Sequence, residues 1–188
     1  MNAYDFDNTV FYGDSTARFY RFSLRRHPMI LFKAPSLLRA FVRFYIAKKG
    51  SKTEFKQTMY RFLTCIPDID SEVEAFWERN AARIKPFYLK QKRSDDVIIS
   101  ASPEFLLSPV CRRLKVGCLI ASDVDKHTGV YTGVNCHGKE KVRRFCEHFG
   151  TVEPDEFYSD SHSDDPMAEL SKKAYMVKKD KITPWEKS

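Results

Sequence analysis

The spacing of apolar positions changes twice along the chain. The few residues before Asp5-Phe6-Asp7-Asn8-Thr9 suit a short strand that delivers carboxylates at its C-terminal end. Two acids two apart on a strand share a face. From Asp14 to about Ile84 the spacing becomes helical, in the segments FYRFSLRRH, SLLRAFVRFYIAKKG, SKTEFKQTMYRFLTC and DSEVEAFWERNAARI. Ser51 with Glu54, and Ser71 with Glu74, have the form of capping boxes. Gly50 reads as a helix stop, and Pro28, Pro35, Pro67 and Pro86 punctuate the segment.

After Asp96 the signals alternate between strand and helix. Val97-Ile98-Ile99 is a buried-strand run that ends at Ser100-Ala101-Ser102-Pro103, where Ser102 is placed to cap a helix with Pro at its first position. Cys118–Ala121, Glu156–Ser159 and Ala174–Val177 are further strand candidates. Lys126–Gly129 reads as a turn, and 138–148 as a helix. This alternation predicts an α/β protein with a mostly parallel sheet covered by helices on both faces, and its chemistry at the carboxyl ends of the strands. The expected organisation is an α/β core of residues 1–14 and 94–188, with an all-helical insert over 15–93.

Composition narrows this picture. A chain of 188 residues, 43% hydrophobic and 30% charged, suits one globular core with an insert. A mean hydropathy of -0.47 and the lack of an apolar run of about 18 residues predict a soluble protein without a membrane span. The five cysteines are odd in number and form no CxxC pair, so free, reduced thiols are expected and zinc is not. With no apolar leader at the start, the cytoplasm is the expected compartment.

Charge is concentrated. The net value is +7, yet residues 15–93 carry 18 bases and six acids, whereas 1–14 carry three acids and no base. Between Asp14 and Glu54 lie ten Lys or Arg and no acid, interleaved with aromatic residues. An anionic partner follows from this. Nucleic acid is not expected, because no stacking module or recognition motif accompanies the bases.

Three predicted strand ends carry polar groups: Asp5 with Asp7, Ser100, and Asp160 with Asp164. In one sheet they converge at one rim, and Lys141 or Lys139 can join them from the helix after Gly138. Close carboxylates repel unless a cation neutralises them, and hard oxygen donors with room for water and phosphate favour Mg2+. A metal, a lysine and a carboxylate nucleophile together suit phosphoryl transfer. Asp165 reads as the start of the next helix and His162 as an exposed loop residue.

These motifs resemble the haloacid dehalogenase-like superfamily of aspartate-nucleophile phosphatases. Asp5–Thr9 (DFDNT) is similar to its first motif, Ser100 after Val97-Ile98-Ile99 to its second, the lysine of Gly138-Lys139-Glu140-Lys141 to its third, and Asp160–Pro166 (DSHSDDP) to its fourth, in the family's order. The helical insert between the first two motifs resembles the phosphoserine-phosphatase-like branch, which has a Rossmann-like core and a helical cap. The resemblance implies Asp5 as nucleophile and Asp7 as general acid and base. It implies Mg2+ held by Asp5, the Asp7 backbone carbonyl and Asp160, with Asp164 supporting the metal or the lysine. Phosphate would be held by Ser100, Ala101 and Lys141, with Lys139 as the alternative. The fourth motif reads Ser159-Asp160-Ser161 where the family usually has Gly-Asp-Ser. Asp14 stands where phosphoserine phosphatases place a longer Glu, so it is either a specificity residue or the cap of the first insert helix.

The Ser-Asp-Ser form, Arg25-Arg26-His27-Pro28 and the long apolar-basic helix after Pro35 are also similar in pattern to lipid phosphatases of the phosphatidylglycerophosphatase C type. Leu38, Phe41, Val42, Tyr45 and Ile46 are expected to form the core of the insert; the other reading is an interfacial face that touches anionic lipid. The functional expectation is a Mg2+-dependent phosphatase that hydrolyses a phosphomonoester through an aspartyl-phosphate, with a small, phosphoserine-like metabolite as substrate. The alternatives are the same chemistry on a lipid phosphate, and a non-catalytic anion or nucleic-acid binder.

Overall fold

The apolar run Val97-Ile98-Ile99 opens β2 (Val97–Pro103), an interior strand buried on both faces, as a parallel sheet requires. A computed structural model describes residues 1–49 and 52–186, apart from the side chains of Lys52, Thr53 and Phe55. The Gly50 stop and the Ser51 capping box lie outside the described residues. The sheet has the order β3-β2-β1-β4-β5-β6, with β1 (Ala3–Tyr4), β3 (Cys118–Ser122), β4 (Glu156–Ser159), β5 (Lys173–Lys178) and β6 (Lys181–Pro184). All neighbours pair in parallel except β5 with β6. The reversal of strand order at β1 and β4 opens a crevice beyond the carboxyl ends.

β6 is absent from the sequence reading. Lys179, at φ 56°, and Asp180 turn the chain back on itself, and neither carries the Gly or Asn that normally advertises a tight hairpin. Pro184 is tolerated because β6 is an edge strand.

Among the described residues five α-helices follow β1 before the chain returns to β2: α1 (Ser15–Arg26), α2 (Ala34–Phe41), α3 (Lys52–Tyr60), α4 (Ile69–Asn80) and α5 (Pro86–Gln91). Asp14 caps α1, accepting from the Ala17 amide at 2.8 Å. A 3-10 segment, Pro28–Lys33, leads into α2, and a π-helical turn, Val42–Ile46, follows it. The cap of α4 is Asp68, which accepts from the Ser71 amide at 3.0 Å. Ser71 therefore sits inside the first turn, and the box assigned to Ser71 and Glu74 is displaced by three residues.

Three helices complete the core: α6 (Glu104–Leu114), α7 (Lys139–Phe149) and α8 (Asp165–Leu170). Pro103 stands at the cap position of α6 with no side-chain cap, so Ser102 belongs to β2 and does not cap the helix.

Alternate residues of β1 and β2 feed two cores, as a strand's period of two dictates. Ala3, Val97 and Ile99 pack with Phe145 of α7 and Met167 of α8. Tyr4 and Ile98 face the other way, into a cluster shared by α6 and the insert: Phe19, Val73, Phe76 and Trp77 join Leu107 and Val110. Trp77 donates its indole N–H to the Leu106 carbonyl at 2.6 Å. α5 also lies on this face, with Tyr88 edge-on to Tyr4 at 5.0 Å.

One insert expectation is overturned. Leu38, Phe41, Val42, Tyr45 and Ile46 are exposed, so they do not form the core of the insert. Its interior is built instead from α1, α4 and the 3-10 segment Arg61–Cys65. α2 packs on α3 and on the two helical turns that flank it, and among the described residues its large apolar side chains stay exposed. No helix among the described residues is long and apolar enough to cross a membrane, and all five cysteines are free thiols.

Candidate active site

The first acidic motif lies past the end of β1, not on it. Asp5 donates its amide to the Tyr158 carbonyl at 2.9 Å, and the chain then turns through Asn8, at φ 59°. Asparagine tolerates this left-handed conformation better than most residues. Both acids therefore reach the cleft from the loop after β1 and not from the strand itself.

Asp5, Asp7, Ser100, Ala101, Lys141, Asp160 and Asp164 all line one cleft of about 230 Å3 at the strand ends. Lys141 is buried at the start of α7, where its ammonium donates to Asp5 Oδ1 at 2.7 Å and to Asp164 Oδ2 at 2.8 Å. Burial opposes its charge, but the two carboxylates outweigh it and hold the lysine above its ordinary value. Lys139, the alternative, is exposed. Asp164 also accepts from Ser159 Oγ at 2.7 Å. Its contacts are thus with the lysine and with the serine that precedes Asp160.

Asp7 points toward the N-terminus of α1. Its Oδ1 accepts from the Ser15 amide at 2.7 Å, and its Oδ2 accepts from Ser102 Oγ at 2.5 Å. Burial, and then the nearby Asp14, push the Asp7 carboxyl up to about 6 against these hydrogen bonds. Burial likewise raises Asp5, with Lys141 working in the opposite direction, and raises Asp160.

Ser100 is buried, and its Oγ accepts from the Ser102 amide at 3.1 Å. The Ala101 carbonyl accepts from Lys56 at 3.3 Å and from Ser122 Oγ at 3.1 Å. Asp14 caps α1 and also lines the cleft. Asp165 begins α8, as expected. His162 is exposed as expected, but it contacts Asp165 at 3.1 Å.

Several residues escaped the sequence reading. Ser102 lies two residues after Ser100 on one strand, so the period of two already put both hydroxyls on one face. Lys56, Met59 and Tyr60 of α3 line the cleft from the insert, a placement without any local signal. Gly129, at φ 74°, brings the 125–131 turn onto α3: a Cβ there would lie 2.5 Å from the Tyr60 carbonyl oxygen. Lys85 is buried, and its ammonium donates to the Asn8 carbonyl and, at 2.6 Å, to that of Lys179, pinning the acidic turn to the β5–β6 hairpin.

The donor set suits a hard divalent cation. Among the described residues no three His, Cys, Asp or Glu side chains form a ready ligand cluster. Asp5, Asp7 and Asp160 line the cleft together, oxygen donors of the kind that Mg2+ takes while keeping several waters. A larger depression of about 470 Å3, beside α8 and the β5–β6 hairpin, has none of the strand-end acids.

The family model of haloacid dehalogenase-like hydrolases matches residues 3–169. The chain is 28% identical to Protein CicA of Caulobacter vibrioides over 191 residues, covering 93% of this chain and 85% of that protein. Among solved structures it is similar to a protein of unknown function from Bordetella pertussis Tohama I, with a TM-score of 0.77, 19% identity, and 93% and 87% of the two chains covered. It is also similar to a phosphoserine phosphohydrolase-like protein from Francisella tularensis subsp. tularensis SCHU S4, with a TM-score of 0.56, 13% identity, and coverage of 93% and 86%. At these identities the structural matches speak to the fold alone. Four ordered motifs on one rim of such a sheet and a family match over most of the chain lead to one assignment: the protein belongs to the haloacid dehalogenase-like hydrolases and has the α/β fold of their phosphoserine-phosphatase-like members.

Proposed function

We propose that the protein is a Mg2+-dependent phosphatase that hydrolyses a phosphomonoester through an aspartyl-phosphate, with a small phosphorylated metabolite as substrate. The observation that carries this reading is the buried Asp5–Lys141–Asp164 arrangement, at 2.7 and 2.8 Å, in one cleft with Asp7, Ser100 and Asp160. An Asp5 oxygen attacks phosphorus while the bond to the leaving oxygen breaks, and Asp7 gives its proton to that oxygen. A water then attacks phosphorus, passes a proton back to Asp7, and releases inorganic phosphate with the Asp5 carboxylate restored.

Lys141 stabilises charge on Asp5 and on the transferring group, and Asp164 keeps Lys141 aimed. Ser100 and the backbone at Ala101 hold phosphate oxygens. Ser102 orients Asp7, and Lys56 adds a positive charge from the insert side. Mg2+ at Asp5, Asp160 and the Asp7 carbonyl would supply the neutralisation that lets an anionic nucleophile approach an anionic phosphate. The insert helices act as a cap, with α3 as the wall over the cleft. Asp14 at the mouth is the specificity residue of this reading.

The second reading, the same chemistry on a lipid phosphate, rests on the exposed apolar residues of α2. The deciding experiment is hydrolysis of an aryl phosphate with and without Mg2+ by the wild type and by Asp5→Asn. The variant should melt normally and release no phosphate; activity that survives in it removes the assigned nucleophile. Beryllofluoride with Mg2+ should raise the melting temperature of the wild type and leave that of Asp5→Asn unchanged.

A further inference from the structure

Large apolar side chains are exposed in one part of the molecule above all. Of the thirteen exposed among the described residues, eight fall between Met29 and Ile46. Phe32 is 81% exposed, Leu38 64% and Ile46 69%. They stand on the 3-10 segment Pro28–Lys33, on α2 and on the π-helical turn Val42–Ile46, which follow one another without a break. Ile30 is buried and anchors the start of the segment, so its conformation is part of the fold.

The charge carried by this segment has a single sign. Lys33, Arg39, Arg43, Lys48 and Lys49 alternate with the apolar side chains, all five are exposed, and the sequence holds no acid between Asp14 and Glu54. An apolar surface this concentrated marks an interaction site. Pairing with a second copy of the chain through a two-fold axis would set the same patch against itself, bringing like charges together. An anionic bilayer has the opposite character: acyl chains for the apolar residues, and phosphate headgroups for the bases around them.

We propose that residues 28–49 dock the protein on an anionic lipid surface, with Phe32, Leu38 and Ile46 entering the headgroup boundary and Arg39 and Arg43 pairing with lipid phosphates. The surface adjoins the catalytic cleft by one helix only. α2 packs on α3, and α3 gives Lys56, Met59 and Tyr60 to the cleft. Docking therefore sets the cleft at the membrane boundary without a membrane-spanning segment. Binding of this kind is peripheral and reversible by salt.

Co-sedimentation of the full chain with vesicles tests the proposal, and its readout does not depend on the hydrolytic reading. The protein should partition onto phosphatidylcholine vesicles containing phosphatidylglycerol, far less onto phosphatidylcholine alone, and should be released by high salt. Each base near such a surface is worth about fivefold in partitioning, so Arg39→Gln with Arg43→Gln should weaken it about 25-fold. Leu38→Ser with Ile46→Ser should reduce it at least as much, while the melting curves of both double variants match the wild type. The proposal is overturned by failure to sediment with acidic vesicles at low salt, or by undiminished sedimentation of both double variants. A dimer seen by light scattering that Leu38→Ser with Ile46→Ser dissolves also overturns it, because the patch would then be a self-association surface.

Discussion

The cleft and the α2 surface treat the same kinds of residue in opposite ways. At the cleft, carboxylates and a lysine are enclosed and bonded to one another, while the apolar residues of β1 and β2 beneath them are sealed from water. On α2, apolar side chains face outward and bases surround them. The cause is the number of neighbours. Every interior strand has partners on two edges and helices on two faces, whereas among the described residues α2 packs chiefly on α3 and on the 3-10 and π-helical turns that flank it in the chain. Burial is therefore a property of the layer that an element occupies, and an apolar stripe becomes core only where a second layer covers it.

The comparison breaks most visibly at Lys141. Lys141→Met leaves Asp5 and Asp164 buried together without their cation, and removing one partner of such a pair costs about 3–5 kcal/mol. The urea midpoint should fall accordingly, and phosphate release, if the proposed chemistry holds, should vanish with it. A midpoint within error of the wild type would mean that the carboxylates take up protons at no cost.

Next comes a matched pair of apolar truncations. Ile98→Ala, in the sealed sheet, should cost about 2–5 kcal/mol, whereas Leu38→Ala, 64% exposed on α2, should stay within about 0.5 kcal/mol. Equal losses in chemical denaturation would show that α2 is covered in solution.

The smallest effect lies on α7, the helix that carries Lys141. Glu140 accepts from Arg143 Nη2 at 2.7 Å and from Arg144 Nε at 3.0 Å. Hydrogen bonds from Arg143 chiefly, and then from Arg144, hold its carboxyl down at about 2, below the ordinary 4.5. A depressed folded value contributes stability that is complete above the unfolded pKa and lost as pH falls through the folded one. Melting curves of Glu140→Gln should thus lie slightly below those of the wild type at neutral pH and converge with them between about pH 4.5 and pH 2. A gap that persists at pH 2 would point to packing rather than charge.

Much of this arrangement was legible from residue order. Val97-Ile98-Ile99, the acidic strand ends and the helix after Gly138 mark the sheet and its rim because strand period and helix caps are local effects. The polar run Lys178-Lys179-Asp180-Lys181 hid the final hairpin, since its turn lacks a glycine. Ser102 passed for a cap because a serine before proline and glutamate fits that role locally, yet β2 continues through it. Lys56 and Lys85 reach the site from distant parts of the chain, and no local pattern announces such an encounter.

By itself, the sequence determined the fold class, the ordered motifs and the concentration of positive charge in the insert, all of which follow from the spacing of residues near one another in the chain. Tertiary structure alone decided which lysine meets Asp5, what orients Asp7, and that the apolar side of α2 stays uncovered. Those outcomes depend on which surfaces meet across long separations, and contact across space is what creates burial, ion pairing and exposed faces.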